Sequence, residues 1–270
     1  MKDKKHFAFG ENWDLYSRQI DSRHIENSKK DFIGLTHLDC LEGMKVLDIG
    51  SGSGIHSLSM MLLGCKNLVS LDYDFDSVST TKRVLSGKIF KGDYQVIQAD
   101  ILKHIPELDG HTFDLVYSWG VLHHTGDMMK GIDESVRYVK PGGLIALALY
   151  RKTLFCSFWK IEKFIYSKSP KLLQRVVQKS YELVFALHTY LKTGQTFGSY
   201  KHDYLQKRGM EFSRDVHDWL GGYPYESIDP KYLIQYMQLM GFSLVNSNIA
   251  KKQIGILGSG CDEFLFKNDG

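Results

Sequence analysis

The stretch Lys45-Val46-Leu47-Asp48-Ile49-Gly50-Ser51-Gly52-Ser53-Gly54 reads as a buried strand running straight into a glycine-rich turn. A second apolar run, Asn67-Leu68-Val69-Ser70-Leu71, ends in Asp72. Strand, glycine turn, helix, strand and terminal acid make the first half of a nucleotide-binding α/β unit. The dinucleotide fingerprint G-x-G-x-x-G wants its third glycine where Ile55 stands, and Gly54 comes one residue early. Asp48 lies two residues before the first glycine. A carboxylate there repels a diphosphate and attracts a positively charged ligand.

S-adenosylmethionine is such a ligand, with a sulfonium, an α-ammonium and a ribose diol. On this reading Asp48, Gly50 and Gly52 hold its methionine end. Asp72 accepts hydrogen bonds from the ribose hydroxyls, because an ionised carboxylate offers two acceptor oxygens. Tyr73 is placed along the adenine face. A third strand-like run, Tyr94–Ala99, delivers Asp100 and Ile101 to the adenine, and a fourth, Phe113–Ser118, brings Ser118 and Trp119 past the methionine moiety. Pro141-Gly142-Gly143 then turns the chain into Leu144–Tyr150, the most apolar run present. All these residues fall at the carboxyl ends of strands, the edge where open α/β sheets bind ligands.

In order and spacing, VLDIGSGSG, LDYD, QAD and FDLVYSWGVLHHT resemble the motifs of class I S-adenosylmethionine-dependent methyltransferases. FGENWDLYS near the start, RGM at 208–210, DVHDWLGGYPYE at 215–226 and GCDEFLF at 260–266 resemble a bacterial small-molecule subgroup akin to ubiquinone-biosynthesis-type methylases. The resemblance implies a Rossmann-like α/β fold: a seven-stranded, mostly parallel sheet, helices on both faces, and a helical lid inserted between strands five and six. It implies in-line methyl transfer to the oxygen, nitrogen or carbon of a small acceptor that is aromatic, sugar-derived or quinone-like. The product would be S-adenosylhomocysteine. No NPPY-type motif follows the fourth strand, which disfavours nucleic-acid bases as acceptors. An RNA methyltransferase and a non-catalytic S-adenosylmethionine-binding or assembly protein are the alternatives. An NAD-dependent oxidoreductase is weakened by Asp48 and the early glycine.

The expected layout is a helical cap over 1–40, a core over 41–150 and 227–270, and the insertion over 151–226. Ser57–Gly64 suits the first crossover helix and Asp76–Val84 the second, with Asp76 as its cap. Within the insertion Leu173, Val176, Val177, Val184, Leu187, His188 and Leu191 recur at helical spacing. Asp229-Pro230 opens a helix through Met240, and Phe242–Ile249 and Glu263–Phe266 read as the last strands. Aromatic residues crowd the insertion, which favours an apolar or aromatic acceptor. Tyr16, Arg18, Trp219 and Tyr223 are its expected contacts. His123 and His217 are the candidate acid/base residues, since an imidazole titrates near neutral pH; His124 is the weaker neighbour.

The chain has 270 residues, 43% of them hydrophobic, and a net charge of +3. From Arg151 to Arg214 there are thirteen Lys/Arg against four Asp/Glu, so the insertion is basic and the remainder acidic. The four cysteines are far apart without a zinc spacing, and no metal is expected. Neither a signal-peptide pattern nor a membrane-spanning run is present, which points to a cytoplasmic protein. A homodimer is one expected state.

Overall fold

The computed structural model describes residues 7, 9–208, 211–249 and 260–270. Gly209 and Met210 of the RGM motif lie outside the described residues. Two helices open the chain, α1 (Gly10–Ser17) and α2 (Ser22–Thr36). The alternating core follows: β1 (Lys45–Ile49), α3 (Ile55–Leu62), β2 (Asn67–Asp72), α4 (Phe75–Leu85), β3 (Asp93–Gln98), β4 (Phe113–Trp119), α5 (Met128–Val136) and β5 (Val139–Tyr150). Four helices come next, α6 (Cys156–Lys168), α7 (Lys171–Thr193), α8 (Phe197–Arg208) and α9 (Phe212–Gly221). The chain closes with α10 (Pro230–Leu239), β6 (Phe242–Asn248) and β7 (Cys261–Asn268).

Among the described residues the strands form one sheet in the order β3-β2-β1-β4-β5-β7-β6. The first five run parallel, while β7 is antiparallel to both β5 and β6. Parallel strands need helical crossovers, so both faces are covered and the strand residues are apolar on both sides. Leu47, Ile49, Ile145 and Leu147 join a core with Ile132 of α5 and Met237 of α10. Val46, Leu68, Tyr117 and Ala146 face the opposite core, with Phe32 of α2, Leu58 of α3 and Val78 of α4. This is the Rossmann-like, mostly parallel seven-stranded sheet expected from the sequence.

Two boundaries moved. The first crossover helix begins at Ile55, directly after Gly54, rather than at Ser57. The second is capped by Asp74, not Asp76: the Asp74 carboxylate accepts from the amides of Asp76 at 2.8 Å and Ser77 at 3.2 Å. Asp229 caps α10 in the same way.

The helices α6 to α9 sit between β5 and β6 and have a core of their own, centred on Trp159, Tyr166, Phe212, Val216, Leu220 and Tyr225. The helical stripe expected in this segment lies on α7, but it faces outward. Leu173, Val176, Val184, Leu187 and Leu191 are all exposed. The inner face of α7 is formed by Val177, Tyr181 and Phe185, which pack on the local core.

A buried ion pair fastens the end of β5 to β7. Arg151 donates to both carboxylate oxygens of Asp262, at 2.7 and 2.6 Å. Removing one partner of a buried pair leaves an uncompensated charge, so Asp262→Ala is expected to lower unfolding free energy by about 3–5 kcal/mol. Urea denaturation of the two proteins checks this.

Candidate functional site

The chain turns at Gly50 with φ +78°, a conformation suited to glycine; a Cβ there would fall 2.3 Å from the Val121 side chain. At Gly54 a Cβ would lie 2.9 Å from the Thr81 backbone, so this glycine lets α3 start close against α4. Between them, the Gly52 amide donates to Asp72 Oδ2 at 2.9 Å, and the Asp74 amide donates to Oδ1 at 2.9 Å. Asp72 therefore ties the glycine loop to the head of α4. Each of its oxygens keeps a second lone pair for an incoming hydroxyl.

A cavity of about 1280 Å³ runs along this carboxyl edge of the sheet. Gly50, Gly52, Asp72, Tyr73, Asp100, Ile101 and Trp119 all line it, as do Tyr16, Trp219, Tyr223 and His123. The Asp100 carboxylate accepts from the Leu102 amide at 3.0 Å and pairs with Lys103 at 3.1 Å. Gln98 Nε2 donates to the Tyr73 carbonyl at 3.2 Å.

Four residues singled out from the sequence do not line the cavity. Asp48 is 2% exposed and accepts from Ser57 Oγ at 2.5 Å, while Ser57 Oγ also meets Ser70 Oγ at 2.9 Å. It knits β1, α3 and β2 together one layer behind the wall. Ser118 is fully buried, because strand alternation turns it to the opposite side from Trp119. Arg18 is exposed and pairs with Asp14 at 3.0 Å. His217 shares a 2.7 Å hydrogen bond with the Tyr166 hydroxyl and sets its ring edge-on to Phe7.

Other lining residues escaped the sequence reading. Glu263 accepts from Trp119 Nε1 at 2.7 Å and fixes the indole. Lys163 is 6% exposed, donates to the Trp219 carbonyl, and lies 5.3 Å from the Tyr225 ring centre and 5.7 Å from that of Trp159. Burial lowers its pKa. The sequence signal was the spacing of Trp159, Lys163 and Tyr166 on one face of α6. Among the described lining residues Lys163 is the only Lys or Arg, against eight carboxylates. The cavity thus favours a cation over a polyanion.

The two adjacent histidines differ in their hydrogen bonding. His123 is 1% exposed, and burial holds its pKa well below the usual imidazole value. Its Nδ1 accepts from the Tyr150 amide at 3.3 Å, so the neutral ring carries its proton on Nε2, where no partner is present. His123 is therefore set as a donor, not as a base. His124 Nδ1 lies 2.8 Å from the Pro224 carbonyl and donates to it. Its neutral ring keeps the basic lone pair on Nε2, the arrangement a proton acceptor needs. His124 also lines the cavity.

Comparison with known proteins agrees with this geometry. Residues 47–147 match the family model described as a methyltransferase domain. That segment is a methyltransferase domain. Over 136 residues the chain is 32% identical to the ubiquinone biosynthesis O-methyltransferase of Pelagibacter ubique, covering 50% of this chain and 54% of that protein. It is 34% identical over 131 residues to the tRNA U34 carboxymethyltransferase of Hydrogenovibrio crunogenus, covering 47% of this chain and 38% of that one. The chain spans about half or less of the length of these curated relatives. Among solved structures, the Synechocystis magnesium protoporphyrin IX methyltransferase with bound S-adenosylhomocysteine superposes with a TM-score of 0.53 at 14% identity, over 93% of this chain and 86% of that one. A Haloferax volcanii methyltransferase in complex with its activator superposes with a TM-score of 0.55 at 14% identity, over 96% of each chain. The methyltransferase fold is thus shared across distant sequences.

The unlike histidines have a direct spectroscopic signature. Long-range nitrogen–proton NMR spectra are expected to show His123 as a neutral Nε2–H tautomer at neutral pH, with His124 carrying its proton on Nδ1 when neutral.

Proposed function

We propose that this chain is an S-adenosylmethionine-dependent methyltransferase acting on a hydroxyl of a small apolar or aromatic acceptor, quinone-like compounds included. The observation that carries this reading is the cavity's charge: eight carboxylates and one ammonium around a glycine loop and aromatic walls. A sulfonium donor suits that lining. The residues present fit its other groups as well, since Asp72 has lone pairs for a diol and Asp100 stands at the next strand end. Asp48 acts from behind the wall, by its field and by fixing the loop. Bound there, S-adenosylmethionine would supply an electrophilic methyl group, displaced in line from sulfur.

Residues 1–40 form a cap in this proposal, 41–150 with 227–270 the donor-binding core, and 151–226 a lid that selects the acceptor. Trp159, Tyr181, Tyr204, Trp219, Tyr223 and Tyr225 line its side of the cavity and exclude water from the acceptor. His124 takes the hydroxyl proton on Nε2, and His123 Nε2–H orients the acceptor by donating to it. Among the described residues no group suited to a metal ion occurs, and no helix is long and apolar enough to cross a membrane. A cytoplasmic location accords with this reading.

The tRNA-modifying relatives and the basic insertion raise RNA as a second acceptor. Against it, Lys160, Lys168, Lys171 and Arg175 of α6 and α7 are exposed and do not line the cavity, so they make no cationic track into it. Nucleic acid co-purifying with the protein and released by salt would favour that second reading.

Thermal-shift titration is expected to show saturable stabilisation by S-adenosylhomocysteine and S-adenosylmethionine and none by NAD. Stabilisation by NAD alone would refute the proposal; donor binding without turnover of any phenolic acceptor would favour a binding protein. Burial raises the pKa of Asp72 to about 6 and of Asp48 to about 7. Because the ligand needs ionised carboxylates, its affinity rises with pH through this window. S-adenosylhomocysteine is expected to bind about tenfold more weakly at pH 5 than at pH 7.5 through Asp72 alone. Asp72→Ala should weaken binding by about 1–3 kcal/mol and flatten that profile, as calorimetry would show. His124→Asn should lower kcat by about 10²–10⁴ with donor affinity unchanged.

A further inference from the structure

Methyl transfer from a sulfonium donor makes no use of Lys163, although this side chain of α6 is 6% exposed and lines the cavity. Its position is set by α9. The Trp219 carbonyl belongs to the last turn of that helix, where carbonyls lack intrahelical partners, and Lys163 Nζ donates to it. That uses one of three N–H groups. The ring faces of Trp159 and Tyr225, with centres 5.7 and 5.3 Å away, attract the charge but give no conventional hydrogen bond. Glu162 acts on it through its field, since neither of its buried oxygens takes a hydrogen bond. A buried ammonium is costly until it is paired and hydrogen-bonded. Lys163 therefore lacks two hydrogen bonds and a directly bonded counter-ion.

A wall of rings leads from this ammonium to the histidines. The Tyr225 ring lies 5.3 Å from Lys163 Nζ, Tyr150 lies 5.3 Å from Tyr225, and His123 lies 3.8 Å from Tyr150. All four residues line the cavity. Burial, and then the charges of His124 and Lys163, lower the His123 pKa, so the ammonium and the imidazole stand within each other's field. The acids of the cavity lie mostly elsewhere. Asp72 and Asp100 stand past the ends of β2 and β3, and Asp74 and Asp76 at the head of α4. Asp215 and Asp218 of α9 line the lid end, but Asp215 takes the Tyr204 hydroxyl and neither forms an ion pair with Lys163 among the described residues.

We propose that Lys163 is a specificity-determining residue that selects an aromatic acceptor carrying a carboxylate. The acid accepts the two remaining N–H groups of Lys163 and supplies the missing counter-ion. The ring lies along Tyr225 and Tyr150, and its hydroxyl reaches the histidine end. A single carboxylate fits here where a polyanion does not, because the lid end offers one cation. The placing of the hydroxyl at His124 rests on the methyl-transfer reading; the carboxylate subsite rests on Lys163 and its surroundings.

Calorimetry of the full chain, with and without S-adenosylhomocysteine, compares hydroxyphenylacetate and hydroxyphenylpropanoate with their methyl esters. At least one acid is expected to bind about tenfold or more tightly than its ester, since hydrogen bonds to a charged partner exceed neutral ones. Lys163→Met keeps the length and apolar stem of the side chain and should bring that ratio to about one, with ester binding and melting temperature retained. In protein isotope-labelled at the lysine side-chain nitrogens, the Lys163 Nζ resonance should move on adding the acid and stay in place with the ester. A lysine that only caps α9 would not respond in this way. Acid and ester binding alike, an acid preference unchanged in Lys163→Met, or an Nζ resonance unmoved by the acid would each overturn the proposal. The parent protein decides the first and last of these even if the variant does not fold. An acid preference in a protein that fails to bind S-adenosylhomocysteine would uphold the carboxylate subsite and overturn the donor reading instead.

Discussion

The Asp72 carboxylate is the constraint on which the site is assembled. It closes two backbone amides that the turns would otherwise leave open, one in the glycine loop after β1 and one at the head of α4. These segments come from different crossovers, and Thr81 of α4 adds a second tie, its hydroxyl meeting Ser51 Oγ at 2.9 Å. A single anion at the end of β2 thus sets the height of the loop and the start of the next helix together. The cost of holding it in a confined, acidic setting is visible in its raised pKa. A ligand that donates hydrogen bonds or brings positive charge relieves that cost, and so the cavity lining favours such a ligand.

Behind this wall, Asp48 does comparable work for the core. Its hydrogen bond to Ser57, and that of Ser57 to Ser70, link β1, α3 and β2 through polar atoms inside an apolar layer. A buried carboxylate is tolerated only when it is so partnered. The acid that decided the reading of the turn therefore shapes the site without lining it.

The four helices after β5 carry two unlike surfaces. Their inner side, with Trp159, Tyr181, Tyr204 and the buried Lys163, closes the cavity. The outer side of α6 and α7 exposes Phe158, Ile161, Leu183 and Leu187. Helical periodicity is the same whichever way a stripe faces, so Leu173, Val184 and Leu191 announced a helix but not its orientation. Only packing against α9 fixed which side was left to solvent. His123 and His124 are a similar case on a smaller scale. Adjacent and chemically identical, they place the proton on different ring nitrogens because one meets an amide and the other a carbonyl.

Local pattern by itself determined the order of strands and helices, the glycine loop, and the acids at the ends of β2 and β3. Each of these is set by near neighbours: alternation for strands, left-handed backbone for Gly50, a terminal carboxylate one residue past an apolar run. Tertiary structure decided what depends on residues far apart in the chain. It withdrew Asp48, Ser118, Arg18 and His217 from the cavity wall, and brought in Lys163 and Glu263. It set Glu263 against Trp119 across the antiparallel end of the sheet, and Pro224 against His124 from the far side of the insertion. Sequence shows which side chains are able to do chemistry. Which of them face a common space is fixed by burial and by hydrogen bonds to distant backbone, because those alone choose a side chain's direction and its proton.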